Sequence, residues 1–510
     1  MVKGTEQKKP RVWLVLAALV ALATVSIPLA YLGVRASDTS VEQVLEVLTR
    51  PRVGELAFNT IGLSLAVSVT ALGLGTIIAG ILTRVRLRFA KTLLLVSALP
   101  LAVPSYLASY GWLVLVPSAQ GFVPSWAILT AVTVPYVTLP VAAALRGTSA
   151  EGEAVARTLG LGPISAFRQV TWPQVRSAAV AGTLLVFLYT LSDFGLVAML
   201  RFETLTWGIQ QSYAASFDRS QAAILALLLV VIALVVVISE RGARGQVPRT
   251  TATHVVTEAV NGPKRAIALG LVLLPLVVGV LVPLAGLGAR LFGAATIREL
   301  DVPRLAVATG VTIGASALAA VVAVLMALPL AALAARYSQK WVGALETIGY
   351  LPHAVPGIVV GLSLVFFSLA VVPALYQTMV VLVFAYAVLY MPKALGTVRS
   401  SIEGVSPDLV SVARTLGASP FRAWLKVTLP LALPGLGIGG LLVAITTMKE
   451  LPATLLLRPI GVNTLATELW SRTSGGEFGG AAPYAAVLVL VAAIPAMILS
   501  GVRSVAKEEL

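Results

Sequence analysis

Residues 156–173 read A-R-T-L-G-L-G-P-I-S-A-F-R-Q-V-T-W-P, and residues 413–430 read A-R-T-L-G-A-S-P-F-R-A-W-L-K-V-T-L-P. Ten aligned positions are identical, at a constant offset of 257 residues that takes Arg157 to Arg414. Both copies are polar and basic, although the sequence around each copy is strongly apolar. The chain is therefore internally duplicated, and the segment marks the same place in each half.

The composition indicates a membrane protein. Hydrophobic residues make up 58% of the 510 residues, charged residues make up 12%, and the mean hydropathy is +0.94. A soluble domain carries about 25% charged residues, so this chain is typical of a polytopic membrane protein. Basic residues at the ends of spans explain the net charge of +15 better than nucleic-acid binding does. Because the chain has no cysteine, disulfides, thiolate metal sites and cysteine nucleophiles are excluded.

Twelve apolar runs predict an all-α fold with about twelve transmembrane helices, because helices in such a pattern satisfy their backbone hydrogen bonds within lipid. The runs form two sets of six. They lie at about 12–34, 57–82, 91–116, 124–146, 177–200, 221–239, 266–290, 304–335, 342–372, 376–397, 433–457 and 482–502.

The two sets predict two parallel six-helix repeats, because an even number of spans makes both halves insert the same way round. The polar stretch between them lacks apolar periodicity and is typical of a flexible linker. The predicted boundaries are 1–239 for the first unit with a loop at 147–176, 240–265 for the linker, and 266–510 for the second unit with a loop at 398–432.

Basic residues predict the orientation. The first apolar run is longer than the core of a signal peptide, so we predict a retained helix with its N-terminus inside. With that start, 26 of the 37 Lys and Arg residues fall in inner segments, ten fall in outer segments, and Lys449 lies within a span. This asymmetry predicts that both termini and both copies of the repeated segment are cytoplasmic.

Each third span carries a second repeated motif. Leu99–Pro104 reads L-P-L-A-V-P, and Leu351–Pro356 reads L-P-H-A-V-P. Proline within a span breaks or kinks the helix. Such a break lies beside a transport path or only adjusts packing, and the sequence leaves both open. His353 lies in the second break, and since His254 is the other histidine, no histidine cluster exists for a metal site.

The fifth spans carry charges. Asp193 in the first half lies opposite Glu450 in the second, and Lys449 precedes Glu450. Charged groups at such depth usually face a bundle interior or a water-filled path. We predict that Asp193 and Glu450 line a translocation path and that Lys449 pairs with one of them across the interface. The alternative is a structural ion pair that fixes the two halves together.

The repeated segment itself predicts a helix, a turn and a second helix at the inner face. Arg157 and Arg168 would be costly inside lipid, Gly160 interrupts the first helix, and Pro163 fits the first turn of the next one. An ordinary amphipathic loop is the alternative for a single copy. Two copies at identical spacing favour a surface that meets a partner of matching twofold symmetry.

The segment resembles the cytoplasmic EAA loop of permease subunits in bacterial binding-protein-dependent ABC importers. Gly160 and Gly417 match the family glycine, and T-W-P and T-L-P match the end of the loop. The family glutamate is absent in register, because Ala154 and Ser411 occupy its place, and Glu153 is one residue away.

By this resemblance, Ala154–Ser165 and Ser411–Arg422 are coupling helices that dock in a groove of the ATPase. The chain has no G-x-x-x-x-G-K-[ST] phosphate loop. We therefore expect no enzyme activity in this chain and two copies of a separate cytoplasmic ATPase, which hold ATP and Mg. The coupling residues that the resemblance implies are Ala154, Arg157, Gly160, Pro163, Ser411, Arg414, Gly417 and Pro420.

The resemblance covers nearly the whole chain, and two fused units with L-S-D-F-G at 191–195 and M-K-E-L-P at 448–452 are most similar to the ferric-iron importer permeases. It implies a bacterial inner-membrane permease that translocates ferric iron delivered by an extracytoplasmic binding protein. Carboxylate oxygen suits such a hard cation, so Asp193 and Glu450 would be transient metal contacts, and no resident metal or cofactor is expected. Arg201 and Arg458 lie at the outer ends of equivalent spans, where snorkelling of the side chain to the membrane interface is the default interpretation. By the resemblance, they would receive acidic side chains of the binding protein.

Other substrates and classes stay open at this stage. Thiamine and phosphonate importers have related fused permeases. A secondary transporter of the major facilitator type also has twelve spans in two parallel halves, but its acidic and basic motif is not seen at Thr83–Lys91. A polytopic membrane enzyme would need convergent His, Asp or Glu residues, which are in short supply here.

Overall fold

A computed structural model describes residues 10–37, 40–148, 150–214, 218–243, 261–293 and 300–508, and in these ranges the regular structure is helical, which confirms the all-α prediction. The α-helices of the first half are α1 Val12–Ser37, α2 Val41–Thr49, α3 Pro51–Arg84, α4 Ala90–Val96, α5 Ser105–Leu115, α6 Phe122–Thr133, α7 Pro135–Arg146, α8 Ala150–Thr158, α9 Pro163–Ala166, α10 Trp172–Ser192, α11 Gly195–Met199, α12 Leu205–Ala214 and α13 Arg219–Ala243. Those of the second half are α14 Pro263–Leu276, α15 Val282–Leu291, α16 Val302–Arg336, α17 Lys340–Tyr350, α18 Gly357–Val371, α19 Met379–Gly404, α20 Pro407–Thr415, α21 Pro420–Ala423, α22 Leu429–Met448, α23 Pro452–Leu457, α24 Leu465–Ser474 and α25 Phe478–Glu508.

Within the described ranges, ten helical segments are long and apolar enough to cross a membrane, and two bent pairs bring the number to 12 if each pair is one span. This agrees with the prediction of about twelve spans and makes the chain a multi-pass membrane protein. Among the described residues, three π turns join neighbouring α-helices into continuous segments, and three short 3₁₀ helices complete the regular structure. The π turns are Phe167–Thr171, Val277–Leu281 and Trp424–Thr428, and the 3₁₀ helices are Leu99–Ala102, Leu351–Ala354 and Pro373–Leu375.

The third span of each half is bent at the repeated proline motif. Its two arms meet at 88° in the first half and at 100° in the second. In both halves the 3₁₀ helix stops, and a proline stands directly before the next α-helix: Pro104 with φ −60° and Pro356 with φ −59°. Because proline has no N–H and its ring favours this φ, the new helix begins with one fewer unpaired donor.

The fifth spans differ from the continuous runs predicted at 177–200 and 433–457. α10 ends at Ser192 and α22 ends at Met448, and the short helices α11 and α23 follow after each break. A carboxylate caps the helix after each break, as described below, and an apolar run does not reveal such a cap. Each fifth span also begins earlier than predicted, because Ile164–Ser192 and Pro420–Met448 continue through a π turn. The second helix of each repeated segment is therefore the start of a span.

The described helices fall into two compact units that differ from the halves of the sequence. We call Val41–Glu299 with Thr473–Ala482 the first-half unit, and Met1–Ser40 with Leu300–Arg472 and Pro483–Leu510 the second-half unit. Helix α1 therefore belongs to the second-half unit, and α14 and α15 belong to the first-half unit. The predicted boundaries follow the repeat in the sequence. In the structure, the first span of each half packs within the unit formed by the other half. Most of the predicted linker, 244–260, lies outside the described residues.

Each unit has an equivalent three-helix core. Helices α3, α7 and α10 pack against one another in the first-half unit, and α16, α19 and α22 do so in the second-half unit. The exchanged helices pack beside these cores: α1 contacts α16 and α18, α14 contacts α3 and α6, and α15 contacts α5. The third, bent span thus receives the exchanged helix in both units.

Two glycines bring the backbones of α15 and α5 into contact. A Cβ atom on Gly286 would lie 2.1 Å from the carbonyl oxygen of Gly111, and one on Gly111 would lie 2.3 Å from the carbonyl oxygen of Pro283. Beside this contact, Trp112 donates its Nε1–H to the carbonyl oxygen of Val278 at 2.9 Å. Small residues permit such close approach between helices in a membrane, where packing replaces the hydrophobic effect.

We expect Gly286→Ala to lower the thermal unfolding midpoint of the detergent-solubilised protein, because overpacking a close contact costs about 1–3 kcal/mol. Gly288→Ala is the matched control, since a Cβ atom there meets no atom within 4 Å. Equal midpoints for the two variants would contradict the close approach of α15 and α5.

Candidate functional site

Each copy of the repeated segment folds as a short helix, a glycine turn and a second helix, as predicted. Helices α8 and α20 end at Thr158 and Thr415, and the second helices begin at Pro163 and Pro420. The segments from the start of α8 to the end of α9, 150–166, and from the start of α20 to the end of α21, 407–423, are called the first and second turn segments below.

The same backbone turn closes both segments. Gly160 and Gly417 adopt φ values of 89° and 87°, a left-handed conformation that costs glycine nothing. In the first turn segment, the Gly160 N–H donates to the Arg157 carbonyl at 3.1 Å, and the next N–H donates to the Ala156 carbonyl at 3.1 Å. Residues 417 and 418 repeat both bonds at 3.1 and 3.0 Å. This pair of bonds is the Schellman motif, which satisfies the last carbonyls of a helix.

Each turn segment exposes three large apolar side chains at matching positions, called the apolar triplets below. Apolar side chains that are exposed together mark a contact surface for another protein or for the membrane. The first triplet is Val155, Leu159 and Ile164, which are 56%, 80% and 83% exposed, and the second is Val412, Leu416 and Phe421, which are 56%, 83% and 54% exposed. The predicted coupling residues whose side chains are described are exposed as well: Ala154, Arg157, Gly160, Ser411, Arg414, Gly417 and Pro420.

Glu153 faces away from the apolar triplet. Its carboxylate pairs with Arg84, the last residue of α3, and accepts a hydrogen bond from the Thr171 hydroxyl at 2.7 Å. Burial by itself raises the pKa of Glu153, but the Thr171 hydroxyl and the Arg84 guanidinium outweigh it, so the pKa lies below its ordinary value. Glu153 therefore ties the first turn segment to the end of α3.

The second half has a different bond two residues before its turn segment. Valine occupies the aligned position 410, so no carboxylate is available there. Arg336 ends α16 as Arg84 ends α3, and it donates to the carbonyl oxygen of Val405 at 3.0 Å. Neither arginine was predicted to hold this region, although their shared place at the ends of equivalent helices is a usable signal.

Asp193 lies in the break between α10 and α11. Its Oδ1 accepts a hydrogen bond from the backbone N–H of Leu196 at 3.0 Å, and its Oδ2 accepts one from the hydroxyl of Ser105, the first residue of α5. Its carbonyl oxygen accepts a hydrogen bond from the Thr206 hydroxyl at 2.7 Å. Asp193 thus caps α11 and joins it to the bend of the third span.

Glu450 occupies the equivalent break before α23. Its Oε1 accepts a hydrogen bond from the backbone N–H of Ala453 at 2.9 Å, and its Oε2 accepts bonds from the N–H and the hydroxyl of Thr454 at 3.0 and 2.7 Å. Tyr386 on α19 bonds the same hydroxyl at 2.6 Å. Both carboxylates are buried, and these bonds offset the cost of their burial. A role of either carboxylate in a path stays a prediction.

The two outer arginines differ in their surroundings. Arg201 is exposed and adopts φ 53°. Arg458 is half-buried and lies near the ion pair that Arg304 and Glu468 form at 2.8 Å. Burial lowers the pKa of Arg458 from its ordinary value, while Glu468 acts in the opposite direction. Of the two, Arg201 offers the more accessible guanidinium.

If the two carboxylates act as caps, we expect Glu450→Gln to destabilise the protein more than Asp193→Asn. Asparagine keeps an oxygen for Leu196, and the Ser105 hydroxyl can reverse its bond. At position 450, glutamine has one oxygen for the two backbone N–H groups that Glu450 binds, so its side-chain NH₂ would face the other N–H. One unsatisfied buried group costs about 1–3 kcal/mol. Thermal unfolding in detergent measures the order, with the exposed cap variant Asp301→Asn as control. A larger loss for Asp193→Asn would contradict this account.

Comparison with known proteins places these features in a family. The chain matches the family described as "Binding-protein-dependent transport system inner membrane component" twice, over residues 71–244 and 327–503. It is 34% identical over 499 residues to the Fe(3+)-transport system permease protein FbpB 2 of Haemophilus influenzae, a match that covers 96% of this chain and 98% of the relative.

Two further relatives match shorter parts of the chain. A putative 2-aminoethylphosphonate transport system permease protein, PhnV, of Salmonella typhimurium is 33% identical over 171 residues, which is 33% of this chain and 62% of the relative. The molybdenum transport system permease protein ModB of Escherichia coli K12 is 32% identical over 131 residues, which is 25% of this chain and 57% of the relative. The double match and the near-complete coverage show that this chain belongs to the inner membrane components of binding-protein-dependent transport systems, with two family units fused in one polypeptide.

Proposed function

We propose that this chain is the membrane permease of an ATP-driven importer of ferric iron, which an external binding protein delivers. The observation that carries this proposal is the 34% identity to an Fe(3+)-transport permease over 96% of the chain. The phosphonate-transport relative supports a second candidate substrate, but its match covers 33% of this chain. The ferric-iron relative matches both halves of the chain, whereas the phosphonate relative matches a third of it. The ferric-iron relative is therefore the better guide to the substrate.

Family membership makes the chain a transport subunit, so the alternatives of a major facilitator transporter and a membrane enzyme are wrong. It also implies two kinds of partner, a substrate-binding protein and an ATPase. We propose two copies of the ATPase, one at each apolar triplet, with ATP and Mg bound to those copies. The matching exposure of the two triplets supports a pair of equivalent docking sites.

The orientation is part of the same proposal. The excess of basic residues in alternate segments favours cytoplasmic termini and cytoplasmic turn segments. Arg201 would then lie at the opposite face, where the binding protein arrives, and its exposed guanidinium suits an acidic side chain. The half-buried Arg458 would contribute less to that contact than the sequence alone suggests.

The proposed mechanism is alternating access. ATP binding draws the two docked turn segments together, the spans rearrange toward the binding protein, and hydrolysis resets them. The capped breaks at Asp193 and Glu450, together with the two bends, are places where short helices can shift as rigid pieces. A substrate shifts this equilibrium only by its differential affinity for the two states, so tight binding along the path is not required.

The substrate proposal is tested by reconstituting the chain with its ATPase and its binding protein in lipid vesicles. We expect ATP-dependent uptake of radiolabelled ferric iron. Excess 2-aminoethylphosphonate and molybdate should leave this uptake unchanged. ATP-dependent uptake of either competitor without iron uptake would contradict the ferric-iron proposal while leaving the importer class intact.

Coupling is tested at the glycine turn. We expect Gly160→Val with Gly417→Val to reduce uptake and substrate-stimulated ATP hydrolysis by about 5–30-fold, because the left-handed conformation costs a side chain about 1–2 kcal/mol. Asparagine at both positions should keep most activity, since it tolerates that conformation. Gly162→Val is the control. A Cβ atom at either Gly160 or Gly162 meets no atom within 4 Å, so the two positions differ in the left-handed conformation of Gly160 and not in the space for a side chain. Full activity of the double valine variant would contradict the coupling role.

A further inference from the structure

A lysine lies in the middle of the fourth span of the second half. Lys393 is the fifteenth residue of α19, about 21 Å from the start of that helix at 1.5 Å per residue. Its Nζ donates to the Thr446 hydroxyl at 2.8 Å and lies 5.3 Å from the centroid of the Tyr390 ring. Neither group carries a negative charge, and Lys393 forms no ion pair with the described residues. An ammonium group at this depth is typical of a functional site.

A second lysine lies beside the first. Lys449 follows Thr446 by one helical turn at the end of α22, and its backbone N–H donates to the Thr446 carbonyl at 3.2 Å. The side chain of Lys449 is half-buried, and its positive charge acts on Lys393. Lys449 therefore follows, on the same helix, the threonine whose hydroxyl binds Lys393, and both lysines lie within the second-half unit.

The bend of the third span adds another basic group. His353 lies in the 3₁₀ helix Leu351–Ala354, which packs against α19, and Lys393 acts on it electrostatically. The carboxylate that is closest in sequence, Glu450, directs both oxygens to the amides of α23. The region around this bend thus holds two lysines, a threonine hydroxyl and a histidine, and the Lys393–Thr446 bond is at its centre.

The fold does not require this set of charges. The proline motifs are 252 residues apart, and this offset places Leu101 opposite His353 and Val141 opposite Lys393. The offset of 257 that holds for the repeated segment places Ser192 opposite Lys449. Those neutral residues lie in the equivalent elements of the first half: the bend of the third span, the fourth-span helix and the end of the helix before the capped break. The fold can therefore form without these charges, and a cation such as Lys393, which lies inside a span and forms no ion pair with the described residues, points to an anionic ligand.

We propose that Lys393, Lys449 and Thr446 form a binding site for a small oxyanion within the membrane-spanning part of the second half, with His353 at its edge. Charge-assisted bonds from ammonium groups to oxyanion oxygens are short and strong. The site rests on the proposed function in one respect: a bare trivalent cation would be repelled here, so ferric iron would pass as a complex whose anionic ligands neutralise its charge.

Inorganic phosphate is the probe for the site itself. We expect phosphate, but not chloride at equal ionic strength, to raise the thermal unfolding midpoint of the protein saturably in a maltoside detergent, which lacks phosphate headgroups. Lys393→Gln and Lys449→Gln should each abolish the rise, and Lys393→Arg should keep it. Lys340→Gln is the matched control, because this exposed lysine lies outside the cluster. An unchanged phosphate response in both glutamine variants would overturn the proposal.

Two further arms separate the sources and the functions. If the anion is a lipid headgroup, added anionic phospholipid will stabilise the parent protein but not the glutamine variants. Free phosphate will then stabilise neither the variants nor the parent protein. That result would overturn the proposal of a substrate-anion site. In vesicles, ferric iron supplied with phosphate should enter at least tenfold more slowly through Lys393→Gln than through Lys340→Gln. Absence of iron uptake by the parent protein contradicts the ferric-iron proposal alone, since the phosphate response is measured without iron.

Discussion

A helix that breaks inside a bilayer must find partners for its backbone groups, because no water is present to replace the lost bonds. Asp193 and Glu450 supply these partners, since their oxygens accept the first amides of the helices that follow. The bends of the third spans solve the same problem with proline, which has no amide to leave unpaired. Ser105 and Tyr386 then join each capped helix to another span, so the irregular parts of each unit depend on one another.

The parts that sequence reasoning predicted well are local patterns that occur twice. The bends at L-P-x-A-V-P and the glycine turns need no knowledge of tertiary packing, because a proline or a left-handed glycine acts on its own backbone. The continuous fifth spans were wrong because Asp193 and Glu450 read as charges within an apolar run, whereas in the structure they are caps. The exchange of α1 with α14 and α15 could not be predicted, since apolar helix faces in lipid do not specify their neighbours.

The candidate site also has features that the sequence predicts and features that it does not. The turn segments and the positions of their glycines follow from the repeat, but the direction in which Glu153 points does not. One residue of register turns a helical side chain by about 100°, and this directs Glu153 to Arg84 rather than outward. Lys393 was overlooked because charge counting treated Lys449 as the one cation within a span. A lysine near a predicted span end becomes a half-buried cation in the middle of the span once the helix extends to Gly404.

The two halves share the same irregular elements and differ in their charges. The turns, bends and capped breaks occur in both, whereas the Arg84–Glu153 pair occurs in the first half and the cluster of Lys393, Lys449 and His353 in the second. In a symmetric homodimer every substitution appears in both copies, so a cation placed for a ligand would occur twice and its cost within the membrane would be doubled. Fusion removes that constraint. On the proposed mechanism, the turns, bends and capped breaks that an ATPase pair would move together can stay alike, while the residues proposed to bind a single ligand are free to diverge.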